Sequence, residues 1–565
     1  MFNQYYPNFR RHSTRRKIFN SESDSFCMSG SSKLKLNRLI RKKLKFSDKN
    51  IIQKYRNDYH ISTVNMVGIF EILSGLAVIL LLLYYYLTSN FDFWKVRGVK
   101  GPRPIPLFGN TKDVIFQNKI LAQYLEELCL LPCYKDEPYI GIFVRNTPIL
   151  ILKDPVLIKD VLIKDFTSFS ERHTSVEPLS QHLFHLEVAK WRPLRNKLSP
   201  AFTSGKLKEM FPLIVECSHH LEQYINNMPD NNTVEIYELM GKFNTDVIGN
   251  CAFGIEMNAI ADDNSEFRKM GKEIFHSSLK REIREALRTS FPKLYNHLSF
   301  LFDYSNLTNF FLNIVKETME YRKKYNFIRH DFINILMELK EQPNKLGEEI
   351  ELTDSLCAAQ AYLFFGAGFE SSSWTMSNVL YELAQHHDIQ DKVREEIKEE
   401  YSRNNGTIVF ESIKRMKYLH AVFQETLRKH PPVWNLFRKC TASSYTFQGT
   451  KLTIPKNQTI FIPILGIHHD PNIYPKPEVF DPKRFIDENN IINDTTYIPF
   501  GRGPRSCMGE RFADYQSKVG LATFLRNYKI DVSEKTEIPY GIRQSSFLLH
   551  PTNGIYLKIS KINEE

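Results

Sequence analysis

Phe500-Gly501-Arg502-Gly503-Pro504-Arg505-Ser506-Cys507-Met508-Gly509 holds three glycines, one proline and one cysteine in ten residues. That composition describes a tight loop rather than a helix or a strand. Glycine supplies turn dihedrals that side chains forbid and lets backbone pass close to something large. Arg505, two residues before the sulfur, adds positive charge that favours thiolate over thiol. Glu510-Arg511-Phe512-Ala513 reads as a helix start, whose free N–H groups would stabilise an anionic sulfur further. A buried free cysteine in a turn is the alternative. A dinucleotide loop fits less well: Gly501-x-Gly503 lacks the third glycine at the right offset, and no strand–helix unit surrounds it.

Upstream of this loop lie three further patterns. Glu425-Thr426-Leu427-Arg428 is followed by His430-Pro431-Pro432 and then by Phe480-Asp481-Pro482-Lys483-Arg484-Phe485. Glu425 and Arg428 share one helix face at i, i+3. The same spacing recurs at Glu285–Arg288 and Glu400–Arg403, so a solvated surface pair explains it as well. Gln360-Ala361-Tyr362-Leu363-Phe364-Phe365-Gly366-Ala367-Gly368-Phe369-Glu370-Ser371-Ser372 sits inside an apolar helical stretch from about Asp354 to Gln385. Each mid-helix glycine costs about 1 kcal/mol relative to alanine, which close approach of a bulky plane, or of a second helix, would offset. Trp191-Arg192-Pro193-Leu194-Arg195 places an indole donor and a guanidinium one turn apart; an amphipathic helix with its tryptophan in the core has the same pattern. The adjacent pairs His219–His220, His386–His387 and His468–His469 form no His-Glu-x-x-His motif. No Gly-x-Ser-x-Gly elbow or phosphate loop occurs either, which disfavours zinc and serine hydrolases and nucleotide-phosphate chemistry.

At 565 residues, with 42% hydrophobic and 25% charged residues, the chain can bury a sizeable core and is neither collagen-like, wholly disordered nor multi-span. Its 8 cysteines include no C-x-x-C, so a zinc module and a disulfide framework are disfavoured. Residues 1 to 60 carry fifteen Lys and Arg against four Asp and Glu, which alone accounts for the formal net charge of +11. The remainder is neutral, and whole-protein nucleic-acid binding is excluded.

Met66 to Leu87 is apolar except for Glu71, and as a helix it would span roughly 33 Å, enough for a bilayer core. A buried core helix is the alternative. Tyr84–Tyr86, then Trp94, Lys95, Arg97, Lys100 and Arg103, suit a membrane interface. The expected organisation is a basic tail (1–65), a transmembrane anchor (66–88), a basic, Pro-rich and stiff hinge (89–110) and one catalytic domain (111–565). Translocating fifteen cations is improbable, and a cytosolic tail would strand the domain on the far side. The expectation is therefore that the mature chain starts at Met66, with a mitochondrial presequence as the alternative. Helical periodicity from about Asn118 to Leu427, with strand-like runs at Tyr139–Leu152, Lys451–Ile464 and Phe547–Ile559, predicts a mostly helical domain with small sheets.

The Phe500–Gly509 loop closely resembles the haem-binding loop of the cytochrome P-450 mono-oxygenases. The other motifs resemble that family over roughly residues 95 to 560. Similarity is greatest to the microsomal branches, vertebrate family 3 and insect family 6, through Leu198-Ser199-Pro200-Ala201-Phe202-Thr203-Ser204-Gly205-Lys206-Leu207-Lys208 and through Trp94 to Asn110. The resemblance implies a mainly α P-450 fold with a small β region and an N-terminal anchor helix. It implies haem b with Cys507 as the axial ligand of the iron. Trp191, Arg195, Arg438 and Arg505 would serve the propionates, and Phe500, Ala367 and Gly509 would lie at the cofactor. Glu425, Arg428 and Arg484 would form a structural triad.

Ala367, Gly368 and Glu370 match the family's oxygen-activating A-G-x-(E/D)-T, and Ser371 stands where threonine is usual. A serine keeps the hydroxyl, which can bond back to the carbonyl four residues earlier. It loses the methyl that restricts χ1. Glu370 and Ser371 are the implied catalytic pair. Substrate contacts are expected from the loop Glu171–Leu186 and from Phe364, Phe365, Ala367, Val433, Trp434, Leu436 and Phe547. These side chains are apolar, so a hydrophobic small molecule (xenobiotic, steroid or lipid-like) is expected. The implied reaction inserts one oxygen atom from O2, using electrons from NADPH supplied by NADPH–cytochrome P-450 reductase, with cytochrome b5 as a second donor. Lys190, Arg192 and Arg511 are candidates for docking an acidic reductase. The implied location is the endoplasmic reticulum membrane with a cytosolic domain, the mitochondrion being the alternative. A haem-thiolate isomerase or dehydratase that consumes no O2, and a non-catalytic haem binder, are the rival readings.

Overall fold

Apolar residues at helical spacing build a chain dominated by helices, seen here in a computed structural model. It describes residues 70–562 apart from 173–176, 277–279, 281–282, 285–286, 288–291, 299–300, 303–304, 330, 343–349, 487–494 and 546–547, together with Lys42, Gln53, Lys54 and Arg56. The expected tail thus lies almost wholly outside the described residues. The first long helix, α1 (Phe70–Thr88), has a mean hydropathy of 2.0 and none of it is buried, so it is long and apolar enough to cross a bilayer. Two compact units are distinguished, Met1–Tyr86 and Leu87–Glu565.

The second unit contains the remaining long helices: α2 (Leu121–Leu130), α3 (Val188–Leu198), α4 (Ser204–Asn226), α5 (Ile236–Ile248), α6 (Glu266–Phe275), α7 (Ser305–Tyr325), α8 (Phe332–Glu341), α9 (Asp354–Gln385), α10 (His387–Arg403), α11 (Lys417–Lys429) and α12 (Glu510–Asn527). Helix α9 is its spine. The Thr353 hydroxyl caps it by accepting from the Leu356 N–H at 3.2 Å, and from Phe369 to Ala384 it is buried on nearly every face. Gly368 lets α5 approach closely: a Cβ there would lie 2.4 Å from Ile248 Cδ1. Its missing side chain therefore serves helix packing, not the approach of a planar group. Gln516 of α12 donates to the freed Gly368 carbonyl at 2.9 Å, tying the helix that follows Cys507 to the spine.

The strands are β1 (Tyr139–Val144), β2 (Thr147–Leu152), β3 (Asn232–Glu235), β4 (Leu436–Lys439), β5 (Ser444–Thr446), β6 (Thr453–Pro455), β7 (Thr459–Ile462), β8 (Tyr528–Val532), β9 (Ile542–Ser545), β10 (Leu548–Pro551) and β11 (Tyr556–Lys561). They form a four-stranded sheet in the order β1-β2-β7-β4, a three-stranded sheet β3-β11-β8 and two hairpins. Among the described residues only β2–β7 pairs in parallel. Arg438 of β4 faces Ile460 of β7, which fixes its position in the interior.

The segment 89–110, expected as a stiff hinge, is fastened at both ends to β1. Trp94 is buried and donates from Nε1 to the Ile142 carbonyl at 3.0 Å, and the Asn110 side chain accepts from the Phe143 N–H at 2.8 Å. The indole offsets the stiffness of the proline run by docking it onto β1.

Candidate active site around Cys507

The loop before α12 closes through two short backbone bonds, Cys507 N to Phe500 O at 2.8 Å and Ser506 N to Gly503 O at 3.0 Å. Gly503 is required twice over. Its φ is +73°, and a Cβ would fall 1.9 Å from the Leu162 carbonyl oxygen. Phe500 is partly buried against the main core, and Gly509 lies beside Phe202. Cys507 is exposed at the surface of the chain, yet the protein around it is the largest influence on its thiol. Burial pushes the thiol up to about 11, against the lowering effects of the Gly509 N–H, Arg195 and Arg172.

Arg505 is not the cation that faces the sulfur, contrary to expectation. Its guanidinium donates to the carbonyls of Ser170 (3.2 Å), Leu183 (3.0 Å) and Leu186 (3.2 Å), and its Cζ lies 4.0 Å from the Trp191 ring centroid. Arg195 instead reaches the loop, donating to Ser506 O at 2.9 Å. Arg172, which the sequence reading left unassigned, donates to Arg505 O at 3.1 Å.

Arg172, Arg195, Arg438 and Arg505 therefore form one cluster. Burial first, and then mutual repulsion, lowers Arg438 to about 9 and Arg505 to about 9, and holds Arg172 well below its usual range. Glu171 is the one acid that opposes this, weakly, at Arg505. Arg438 is 1% exposed, and its Nε has no hydrogen-bond partner among the described residues. Uncompensated buried cations with an orphaned donor fit a ligand carrying two carboxylates, and the adjacent soft sulfur fits iron. The residues present therefore suit a haem.

On α9, Ala367 is exposed although its neighbours Gly366 and Phe369 are buried. One turn on, the Ser371 hydroxyl donates to the Ala367 carbonyl at 2.8 Å, the back-bond anticipated for serine in place of threonine. Glu370 points elsewhere. Its Oε1 accepts from the Tyr237 hydroxyl and lies 2.8 Å from His550 Nδ1. Neither partner was anticipated, because α5 and β10 bring them from distant parts of the chain.

The structure brings Glu425, Arg428 and Arg484 together. Arg428 makes a two-pronged pair with Glu425 at 2.8 and 2.8 Å, both side chains wholly buried, and Arg484 Nε stands 3.4 Å from Glu425 Oε1. Arg428 also donates to the His468 and Pro477 carbonyls, and Arg484 to those of Pro475 and Lys476. The triad thus pins the segment leading to the cysteine loop.

Of the expected substrate contacts, Val433 and Leu436 are partly exposed. Phe364 is partly exposed and stacked on Phe202 (5.3 Å) and Phe332 (4.6 Å). Two expectations fail. Phe365 has no accessible surface and packs among Phe253, Phe267, Phe311 and Phe369, because it lies two residues, about 200°, around the helix from Ala367. Trp434 is buried in the main core, leaving that role to its neighbours. Phe547 and residues 173–176 of the Glu171–Leu186 loop lie outside the described residues.

The family model described as Cytochrome P450 matches residues 99–558. The chain is 39% identical over 503 residues to "Probable cytochrome P450 6a23" of Drosophila melanogaster, covering 87% of this chain and 99% of that protein. It is 36% identical over 522 residues to "Cytochrome P450 6k1" of Blattella germanica (88% and 98%), and 36% over 506 residues to "Cytochrome P450 6A1" of Musca domestica (87% and 98%).

Proposed function

Because the chain belongs to the cytochrome P450 family, we propose that it is a haem-thiolate mono-oxygenase that inserts one oxygen atom from O2 into a hydrophobic small molecule. The observation that carries this reading is the cluster of Arg172, Arg195, Arg438 and Arg505 beside the Cys507 sulfur, a cradle in search of a dianion. Cys507 would hold the iron. Arg195, Arg438, Arg505, Arg172 and Trp191 would hold the two propionates, and Phe500, Ala367 and Gly509 would border the ring. Bound haem supplies oxygen activation, which thiolate ligation favours.

The chain's own groups supply the rest. The Ser371 hydroxyl, its proton directed at the Ala367 carbonyl, keeps oxygen lone pairs with which to accept from a water and hold it in place. Glu370 is the acid next to it in sequence. Burial would raise its carboxyl, but the hydrogen bond from His550, its charge interaction with that residue, the Tyr237 hydroxyl and Arg268 together hold it below the usual range, so it exchanges protons as a carboxylate. The partly exposed apolar side chains Phe364, Val433 and Leu436 support a hydrophobic substrate of xenobiotic, steroid or lipid-like kind. Exposed Lys190, Arg192 and Arg511 offer cationic surface to an acidic reductase carrying NADPH electrons, with cytochrome b5 as a second donor. Helix α1 supports anchorage in the endoplasmic reticulum membrane.

The carbon monoxide difference spectrum of the ferrous protein tests this reading. A thiolate-type signature that disappears in Cys507→Ala supports it, and an imidazole-type spectrum overturns it. Product formation that requires both NADPH and O2 separates mono-oxygenation from an O2-independent isomerase or dehydratase.

A further inference from the structure

Glu370, Tyr237 and His550 form a closed polar triangle beside Ser371 in the α9 sequence. The Tyr237 hydroxyl donates to Glu370 Oε1, His550 Nδ1 lies 2.8 Å from the same oxygen, and the Tyr237 hydroxyl lies 2.9 Å from His550 Nδ1. The three residues come from the start of α5, from α9 and from β10. Both contacts made by the carboxylate fall on Oε1; among the described residues Oε2 has no hydrogen-bond partner. His550 is 1% exposed, and its Nε2 is likewise unpartnered among the described residues. A buried imidazole that spends one nitrogen on a carboxylate and leaves the other bare has no packing reason to be histidine.

We propose that Tyr237 and His550 are positioning residues for proton delivery, clamping Glu370 by Oε1 so that it stays ionised and exchanges protons through Oε2 alone. The inference rests on the mono-oxygenase reading. A proton relayed from solvent through a water at Oε2 protonates the carboxylate and passes on to the water held at Ser371, which hands a proton on towards the substrate-side oxygen. The first water is resupplied from solvent and the carboxylate is regenerated, while tyrosine and histidine neither gain nor lose a proton. The other charged groups near the triangle are Arg268 of α6, itself paired with Glu238 of α5 at 2.8 Å, and Arg543 of β9. Burial alone would raise the Glu370 carboxyl, and the two clamps oppose that. Without them only the charge of Arg268 opposes the burial effect.

The test is an infrared pH titration of the ferric holoprotein, with the Glu370 carboxyl band assigned by its loss in Glu370→Gln, together with the pH profile of product formed per NADPH. His550→Leu is expected to move the carboxyl titration and the acid limb of the coupling profile to higher pH by about one unit or more. Tyr237→Phe, which deletes only a hydroxyl, moves both in the same direction if the leucine variant does not fold. His550→Asn, whose amide N–H can occupy the Nδ1 position, returns both towards the parent. An unchanged carboxyl titration in His550→Leu or Tyr237→Phe, in protein that retains its thiolate-type carbon monoxide spectrum, overturns the proposal and leaves the mono-oxygenase reading standing. Loss of that spectrum in the parent protein would overturn the mono-oxygenase reading instead.

Discussion

Arg505 is held by Trp191 and not by the sulfur two residues after it: its Cζ lies 4.0 Å from the indole centroid, and its three donor groups end on the carbonyls of Ser170, Leu183 and Leu186. The arginine therefore fastens the loop from Ser170 to Leu186 onto the cysteine loop. A lysine keeps the charge but cannot span three diverging acceptors. Arg505→Lys is expected to lose roughly 2–4 kcal/mol of stability and much of the bound haem, from the three hydrogen bonds it gives up. Trp191→Phe keeps a ring under the cation and should cost about 1 kcal/mol. Thermal unfolding and the haem-to-protein ratio measure both, and a lysine variant with full haem content would contradict the assignment.

Glu425 and Arg428 have no accessible surface, whereas the Arg484 side chain is 15% exposed and stands further off at 3.4 Å. Arg428→Ala leaves a carboxylate buried with little else to meet it and should cost about 3–5 kcal/mol. Arg484→Ala is expected to cost about 1–2 kcal/mol, since Arg428 and the Asp481 N–H remain on Glu425. Denaturant unfolding of the two variants should rank them in that order, and equal losses would mean that the three residues are not nested as described.

Gly501 and Gly503 share a left-handed backbone, with φ of +68° and +73°, but differ in what surrounds them. A Cβ at Gly501 meets Leu436 methyl groups at 3.6 and 3.7 Å and Ser506 Cα at 3.9 Å, all ordinary contacts, while one at Gly503 would sit 1.9 Å from the Leu162 carbonyl oxygen. Gly501→Ala should cost about 1–2 kcal/mol from its dihedral alone and retain haem. Gly503→Ala must push the loop off Leu162 and should give protein without the thiolate-type carbon monoxide spectrum. Identical behaviour of the two would show that close approach is not what glycine serves there.

Ser371 can turn about χ1 where threonine is restricted, and among the described residues its hydroxyl has one hydrogen bond, at 2.8 Å to Ala367 O. Ser371→Ala removes the group that holds water and should raise the ratio of hydrogen peroxide to oxidised product several-fold, short of the ~10²–10⁴ that a positioned proton donor contributes in full. Ser371→Thr restores the stiff rotamer and should lower that ratio below the parent's. If alanine leaves the ratio unchanged, Ser371 has no part in coupling electrons to product.

What could be read from the chain beforehand follows how local each signal is. The cysteine loop and the Glu425–Arg428 pair are written in consecutive or one-turn spacing, and the structure has the turn and the pair, but spacing alone did not say that the pair is buried or that Arg505 turns away from the sulfur. The glycines of α9 declared that something comes close without saying what, and at Gly368 it is Ile248 of α5. Tyr362 to Phe365 is apolar around the whole helix circumference, so periodicity could not say that Phe365 faces the core. The prolines of 101–106 hid the docking of Trp94, whose partner carbonyl belongs to Ile142. Arg172, Tyr237 and His550 carry no local signature, and only the tertiary fold sets them beside Arg505 and Glu370.

Arg172 offers a test in which the sign of the effect depends on what is bound. It is partly buried, repelled by Arg438 and Arg195, and attracted by the Cys507 sulfur only when that sulfur is ionised. In haem-free protein the cluster has no dianion to meet, so a cation there is a cost. Arg172→Gln should therefore stabilise the haem-free protein, by about 1 kcal/mol, because it removes repulsion while keeping an amide donor for the Arg505 carbonyl. In the haem-loaded protein the same change deletes a charge-assisted partner of a carboxylate and should destabilise by about 1–3 kcal/mol, seen as faster haem loss to an acceptor protein. Opposite shifts of the unfolding midpoint in the two forms are the expected result. Shifts of the same sign would mean that Arg172 only packs the loop, and that the cluster is not built around two negative charges.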